Sequence, residues 1–275
     1  MPEVTVLTTT YGGRYAEERY TALCRQTFKD FEWIVVDDCY GKHEQLYADM
    51  KADFNITHIP PRVVKPYFAK ASALNDGLIL ARGKFVYFMN DYSIPHIRCI
   101  ERHVAVQKEF GGLMLSGRAL MVERLPKYFE GERVIGADYR MSLFKDGYCY
   151  FKPTPINDML FEVHRDGVEN WMNGRNDSCP LQPLIDCNGF EEKCDGRWGG
   201  EDSDMAHRLM SYGLRFFMDK GSVTFELPHE SGAKKGIRTE DEQVNFKKTI
   251  TEPKIKNKIF TSDNEWNLKE ARCPV

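Results

Sequence analysis

No run of the 275 residues stays apolar for the roughly 20 positions that a bilayer-spanning helix needs. The opening MPEVTVLTTT has neither the basic start nor the apolar stretch of a secretory signal. A soluble, cytoplasmic protein is expected, with peripheral membrane association left open. Positive charge is not in excess either: 38 Lys and Arg stand against 41 Asp and Glu, a net charge of −3 with a pI near 6.2. That excludes a global field for holding a nucleic-acid backbone, though not a local basic groove. None of the eight cysteines forms a Cys-x-x-Cys pair. Cys179, Cys187 and Cys194 cluster at a spacing that fits no common zinc module, so free thiols are expected. Repeats and low-complexity segments are missing. What is present is an ordinary globular composition, 42% hydrophobic and 29% charged.

Strand-like and helix-like segments alternate through the first 110 residues. Val4 to Thr8 is a β-branched run, and residues 15–27 have helical spacing with Tyr20, Leu23 and Cys24 on one face. Trp33 to Val36 is a second apolar run that ends in Asp37 and Asp38. Helix 43–53, strand 54–59 and helix 68–82, stopped by Gly83, follow. Phe85 to Met89 is a strand that ends in Asn90 and Asp91, and Pro95 is expected to open a helix reaching Phe110. This alternation predicts an α/β fold with a mostly parallel central sheet flanked by helices. Ligands bind outside the carboxyl ends of such strands. Thr8 to Tyr11, Asp37 with Asp38, and Asn90 with Asp91 therefore share one rim.

The second half is less regular. Leu113 to Met121 reads as a strand, 164–180 as a loop rich in Gly, Asn and Asp, and Leu181 to Cys187 as a short apolar segment. In GRWGGEDSDMAHRLMSYG, residues 196–213, a helix turns Met205, Leu209 and Tyr212 inward and stops at Gly213. The helix dipole favours acids at its start, so capping alone would account for Glu201, Asp202 and Asp204. It does not account for Trp198, Gly199 and Gly200. Leu214 to Met218 and Ser222 to Leu227 read as strands. From about residue 233 the chain turns polar and Lys-rich, an arm expected to wrap the domain or meet a partner.

The blocks VTVLTTTYGG, CRQTFKDFEWIVVDD, LNDGLILARGKFVYFMND and WGGEDSDMAHRL, in that order, resemble the family-2 inverting glycosyltransferases of GT-A fold. The match runs over 3–110 and 181–230 and fails in the middle and the tail. The resemblance implies a Rossmann-like GT-A domain. Its nucleotide-sugar-binding half would be 1–110, its acceptor-binding and catalytic half 111–232, and 233–275 a C-terminal arm or lid. It implies that Thr9, Tyr11 and Asp38 hold the base of a nucleotide, a carboxylate being able to accept the imide N–H of uracil while an aromatic ring stacks. A strand-end turn with a capping acid is the plainer reading of Asp37 and Asp38. Lys70 falls where the family places a basic residue toward the phosphates; a solvated surface lysine is the alternative.

FMNDYSIP stands where the family carries its Asp-x-Asp metal motif. Asn90 replaces the last Asp, so either a divalent metal, Mn2+ or Mg2+, rests on Asp91, with Asn90 as a neutral oxygen donor toward the diphosphate, and on His229 after the next strands, or metal dependence is weakened; a plain Asn-Asp turn after a strand is the blander reading. Asp202 takes the position of the general base, Glu201 orients or binds acceptor hydroxyls, and Trp198, Gly199 and Gly200 form an acceptor platform. The implied activity is transfer of a sugar from a nucleotide sugar, a UDP-sugar favoured, to an acceptor hydroxyl. The acceptor is open between a glycan, a lipid, a protein, a small molecule and a modified nucleic acid. Two other readings stand beside it: a sugar nucleotidyltransferase, which would need a Gly-rich basic phosphate loop that TTTYGGRY only partly offers, and a binding domain without turnover, which Asn90 favours.

Overall fold

The computed structural model describes residues 1–63, 69–121, 151–154, 157–163, 172–196, 199–229 and 247–272. The first half alternates as expected: β1 (Val4–Thr10), α1 (Ala16–Cys24), β2 (Phe31–Asp37), α2 (Tyr40–Ala48), β3 (Asn55–Ile59), α3 (Lys70–Leu80) and β4 (Phe85–Phe88). Then come β5 (Ser93–Pro95), α4 (Cys99–Phe110), β6 (Leu113–Met121), β7 (Phe151–Thr154), β8 (Asn157–Val163), β9 (Asp177–Pro180), α5 (Leu181–Asp186), α6 (Glu201–Tyr212) and β10 (Arg215–Glu226). Two short helices, α7 (Glu252–Asn257) and α8 (Leu268–Ala271), lie in the C-terminal stretch.

Among the described residues ten strands join one sheet, in the order β3-β2-β1-β4-β9-β6-β10-β8-β7, with β5 pairing β10 off that path. The first four are parallel; β1, β2 and β4 are largely buried on both faces, while the edge strand β3 is only partly covered. Beyond β4 the sheet is mixed: β9 runs antiparallel between β4 and β6, while β6 and β10 are again parallel. One core lies under α3, α5, α6 and α8 and includes Leu7, Val36, Leu74, Met205 and Leu268. A second, with Val6, Trp33, Val35 and Ile100, lies under α1, α2 and α4, and two smaller clusters gather around Leu120 with Phe225 and around Leu115 with Phe217. In α3, Gly77 lets the helix lie directly on β1, because a Cβ there would stand 2.1 Å from a Leu7 methyl carbon.

Four local expectations are corrected. Pro95 does not open a helix: it closes β5 opposite Thr224, and α4 begins at Cys99. Residues 177–180 are not loop but the central strand β9, polar yet buried because partners meet its side chains. Ser116 donates to Asp177 at 2.5 Å, and His103 and Gln107 reach the Ser178 hydroxyl at 2.8 and 3.0 Å. The two strands expected after 214 are one, β10, irregular between Asp219 and Val223. Tyr212 does not turn inward: it is 37% exposed and donates to Asp186, while Arg208 takes the buried place.

The C-terminal stretch, which looked poor in core residues, is fastened to the domain. Leu268 is fully buried against α3, Lys254 reaches buried Glu191 at 2.5 Å, and the Arg272 guanidinium caps the carbonyls of Leu78, Ile79 and Ala81 at the end of α3. The basic segment 234–238, which reads equally as a lid over the diphosphate or as a solvated polar tail, lies outside the described residues. The described cysteines are free, and burial pushes the Cys187 thiol up to about 12.

Candidate active site

Side chains alternate along a strand, and this sorts the polar residues at the strand ends into two sets. Leu7, Val36 and Phe88 face the core beneath α3; Val6, Val35 and Met89 face the other core. Continuing the period, Thr9, Asp38 and Asn90 come to the α3 face, and Thr10, Asp37 and Asp91 to the opposite one. The contacts agree with this division.

On the far face, Asp37 is fully buried. Its Oδ2 lies 2.7 Å from His43 Nδ1 and 3.1 Å from His58 Nε2, and its Oδ1 accepts the Cys39 N–H at 2.8 Å. Burial opposes its charge, but the His58, Cys39 and His43 hydrogen bonds hold its pKa below the ordinary carboxylate value. Asp91 is also buried; its Oδ2 accepts from Thr10 Oγ1 at 3.0 Å and Arg14 Nε at 3.1 Å. Arg14, in the loop after β1, escaped the sequence reading. Its partner stands 77 positions away and only the topology brings them together.

On the α3 face, Thr9 is half-buried and Tyr11, just beyond it, is 62% exposed. No described residue hydrogen-bonds the Asp38 carboxylate. Burial, followed by the charges of Asp37, Asp195 and Asp76, pushes it up to about 6. Asp195 marks how near α3 lies, since it accepts the N–H groups of Ala71 at 2.9 Å and Ser72 at 3.3 Å. Lys70, the first residue of α3, is 11% exposed. Its Nζ sits 2.8 Å from Asp202 Oδ2 and 3.1 Å from Glu201 Oε1.

The acids of α6 therefore do not cap their own helix. Gly200 is the N-cap and supplies no side-chain cap; Glu201 and Asp202 pair with Lys70, and Asp204 pairs with Arg208. Asp202 Oδ1 is buried without a hydrogen-bond partner among the described residues. Burial pushes the Asp202 carboxyl up to about 7; Lys70 opposes the shift, and Glu201 and Asp177 add to it. Lys70 is held protonated by the two carboxylates in spite of its burial. Gly199 and Gly200 have φ of +77° and +107°, a turn that other residues rarely adopt, and a Cβ at Gly199 would meet nothing within 4 Å. Trp198 lies outside the described residues.

The turn before β9 completes this face. Asp177 Oδ2 accepts the N–H groups of Asn173 at 2.8 Å and Gly174 at 2.7 Å. Asn90 donates to the Asn173 carbonyl at 3.2 Å and to Tyr92 at 3.0 Å. A Cβ on Gly174 would stand 3.0 Å from Asn90 Oδ1 and 3.3 Å from Lys70 Nζ, so the glycine lets these two groups flank one backbone point. Asn173-Gly174 is a common turn dipeptide and was the available signal for this segment.

Of the expected metal ligands, Asp91 and His229 each have other partners. Asp91 turns to the other face and is taken by Arg14. The His229 ring lies flat on Tyr92, centroids 3.6 Å apart, with Nδ1 at the Leu227 carbonyl. Among the described residues no group of three or more His, Cys, Asp or Glu side chains is placed to hold a metal ion. This donor set does not fit a divalent ion as it stands, because Asp91 would have to give up Arg14 for it.

Residues 5–121 match the model of glycosyl transferase family 2, and residues 178–230 that of the N-terminal domain of galactosyltransferase. Among solved structures, S. aureus TarS 1-349 in complex with UDP-GlcNAc has a TM-score of 0.64 at 17% identity, over 96% of this chain and 68% of that one. GalNAc-T7 with UDP, GalNAc and Mn2+ has a TM-score of 0.60 at 11% identity, over 84% and 45%. S. aureus TarS itself scores 0.58 at 18% identity over 82% of this chain, which spans only 37% of the TarS chain's length. Comparison with curated proteins gives no match. The expected resemblance to family 2 and the GT-A fold are both borne out. Among the described residues no helix is long and apolar enough to cross a membrane.

Proposed function

We propose that this chain, a GT-A fold whose residues 5–121 match glycosyl transferase family 2, is an inverting glycosyltransferase. It moves a sugar from a nucleotide sugar, a UDP-sugar favoured, to an acceptor hydroxyl. The observation that carries this reading is the sorting at the strand ends. Thr9, Asp38, Asn90 and Lys70 share the face onto which α6 brings Asp202, a carboxylate with an unpartnered oxygen and a pKa near 7.

In this reading the Asp38 carboxylate accepts the uracil imide N–H and Tyr11 stacks on the base. Asn90 and Lys70 face the diphosphate, and Arg14 stands behind them on the far side of β4. The acceptor hydroxyl approaches over Gly199 and Gly200 and hands its proton to Asp202 Oδ1 as its oxygen bonds to the anomeric carbon. The bond from that carbon to the phosphate oxygen breaks on the opposite side, and its electron pair leaves with the nucleoside diphosphate. A base whose pKa lies near the working pH is both ionised and able to take a proton.

The non-catalytic alternative finds some support in the ion pairs, since Lys70 already occupies Asp202 and Arg14 occupies Asp91. Hydrolysis of UDP-sugars separates the two, because transferases leak donor to water and a binding domain does not. Thermal shifts with UDP-, GDP-, dTDP- and CMP-sugars identify the donor. Absence of both binding and hydrolysis across that panel would remove the reading.

A further inference from the structure

We propose that Lys70 is shared between the base and the donor: it holds Asp202 in the empty enzyme, and the donor diphosphate draws it away, so that Asp202 is released to act only once the nucleotide sugar is in place. This rests on the assignment of Asp202 as the base and of the α3 face as the donor site.

The Lys70 ammonium has three N–H donors. Asp202 Oδ2 accepts one at 2.8 Å, and Glu201 Oε1 is an ion-pair partner at 3.1 Å. The head group also flanks Gly174 together with Asn90 Oδ1, which puts it at the carboxyl end of β4, where the diphosphate is expected. One lysine thus stands within reach of both reactants' positions. A carboxylate bonded to an ammonium at such a distance is a weaker proton acceptor than the same carboxylate without it, because its charge and one oxygen are already satisfied. A diphosphate brings two negative charges and many acceptor oxygens, and competes for the same cation.

The charged groups facing Asp202 are Lys70 on α3, Glu201 on its own helix and Asp177 on β9; Tyr92 faces Lys70 from the segment after β4. Once Lys70 turns to the diphosphate, the like charges of Glu201 and Asp177 remain, among the described residues, as the charges acting on Asp202, and its affinity for a proton rises. The acceptor proton then moves to Asp202, the new C–O bond forms, and the nucleoside diphosphate leaves with the electron pair of the broken bond while Lys70 holds its charge. When the nucleotide departs, Lys70 returns to Asp202 and expels the proton to water. Donor thus binds before acceptor, and Asp202 is a weaker base in the empty enzyme than in the donor complex.

Linkage makes this measurable without knowing the acceptor, because UDP and a proton on Asp202 must raise each other's affinity by one and the same factor. Carbon-13 carboxyl-labelled protein reports the titration of Asp202, assigned with Asp202→Asn. Saturating UDP is expected to raise the titration midpoint by about one pH unit, a tenfold gain in proton affinity. Asp202→Asn, which mimics the protonated base, is expected to bind UDP at least about fivefold more tightly than wild type at pH 8 by calorimetry. If UDP binds but leaves the midpoint in place, or if Asp202→Asn binds it no more tightly, the shared lysine is overturned while the donor site stands. If UDP binds neither protein, the donor reading falls and takes this proposal with it.

Discussion

Arg208 and Asp204 meet one helical turn apart on α6, Nε to Oδ2 at 2.6 Å, with both side chains 1% exposed. Arg208 Nη1 also donates to the carbonyls of Cys187 at 2.9 Å and Gly189 at 2.8 Å, which ties α6 to the segment after α5. Removing one member of a buried pair strands the other charge without solvent. Arg208→Met is expected to cost about 3–5 kcal/mol in urea unfolding. Pairing it with Asp204→Leu should recover much of that loss, and a double variant as unstable as the single one would show that the carbonyl bonds dominate.

The base assignment predicts that Asp202→Asn lowers UDP-sugar hydrolysis or transfer by about 10²- to 10⁴-fold. Donor binding should not weaken with it. Steady-state rates and nucleotide titrations on the same protein decide the matter, and loss of donor affinity in parallel with the rate would argue for a structural role.

Asp38 offers a pH signature. Its folded-state value is raised to about 6, so the carboxylate is ionised above that pH and protonated below it. The imide N–H of uracil needs the ionised form. Affinity for UDP should therefore fall as pH drops through 6 in wild type, relative to Asp38→Asn, in which that dependence disappears. Taking the difference between the two proteins cancels the titration of UDP itself. At pH 8 the variant should bind UDP about 10- to 100-fold more weakly, the range for a hydrogen bond to a charged group.

Leu268 tests whether the C-terminal stretch belongs to the domain. It is fully buried in the core beneath α3. Leu268→Ala should cost about 2–5 kcal/mol, and unfolding should remain a single transition. A stability unchanged within error would mean that the stretch is dispensable.

The first 110 residues were legible because parallel strands are continuous apolar runs and their helices have clear spacing. The site was legible as a place, since strand ends converge by topology. What alternation adds is which neighbour does what. The sequence presents Asn90 and Asp91 as one cluster, and a metal motif made Asp91 the natural ligand. The pleat turns Asp91 toward Thr10 and Arg14 and leaves the neutral Asn90 beside Lys70. The same one-residue step separates buried Asp37 from Asp38. β9 was illegible for a different reason: Asp177 and Ser178 are buried polar residues, and their partners Ser116, His103 and Gln107 lie at least 60 positions away. Capping explained the acids of α6 locally, whereas Lys70, 132 positions from Asp202, explains two of them in space.

The antiparallel seat of β9 also sets the order in which the chain can be completed during synthesis. β3, β2, β1 and β4 need only each other, but the free edge of β4 is paired by Asp177–Pro180, about 90 residues after Phe88 leaves the ribosome. At about 5–20 residues per second that edge is bare for on the order of 5–20 seconds. For that interval the nascent half-sheet carries an apolar strand, Phe85 to Phe88, able to recruit a stray strand from another chain. A chaperone that shields this edge, or a slowed translation rate between the two segments, acts at that one point.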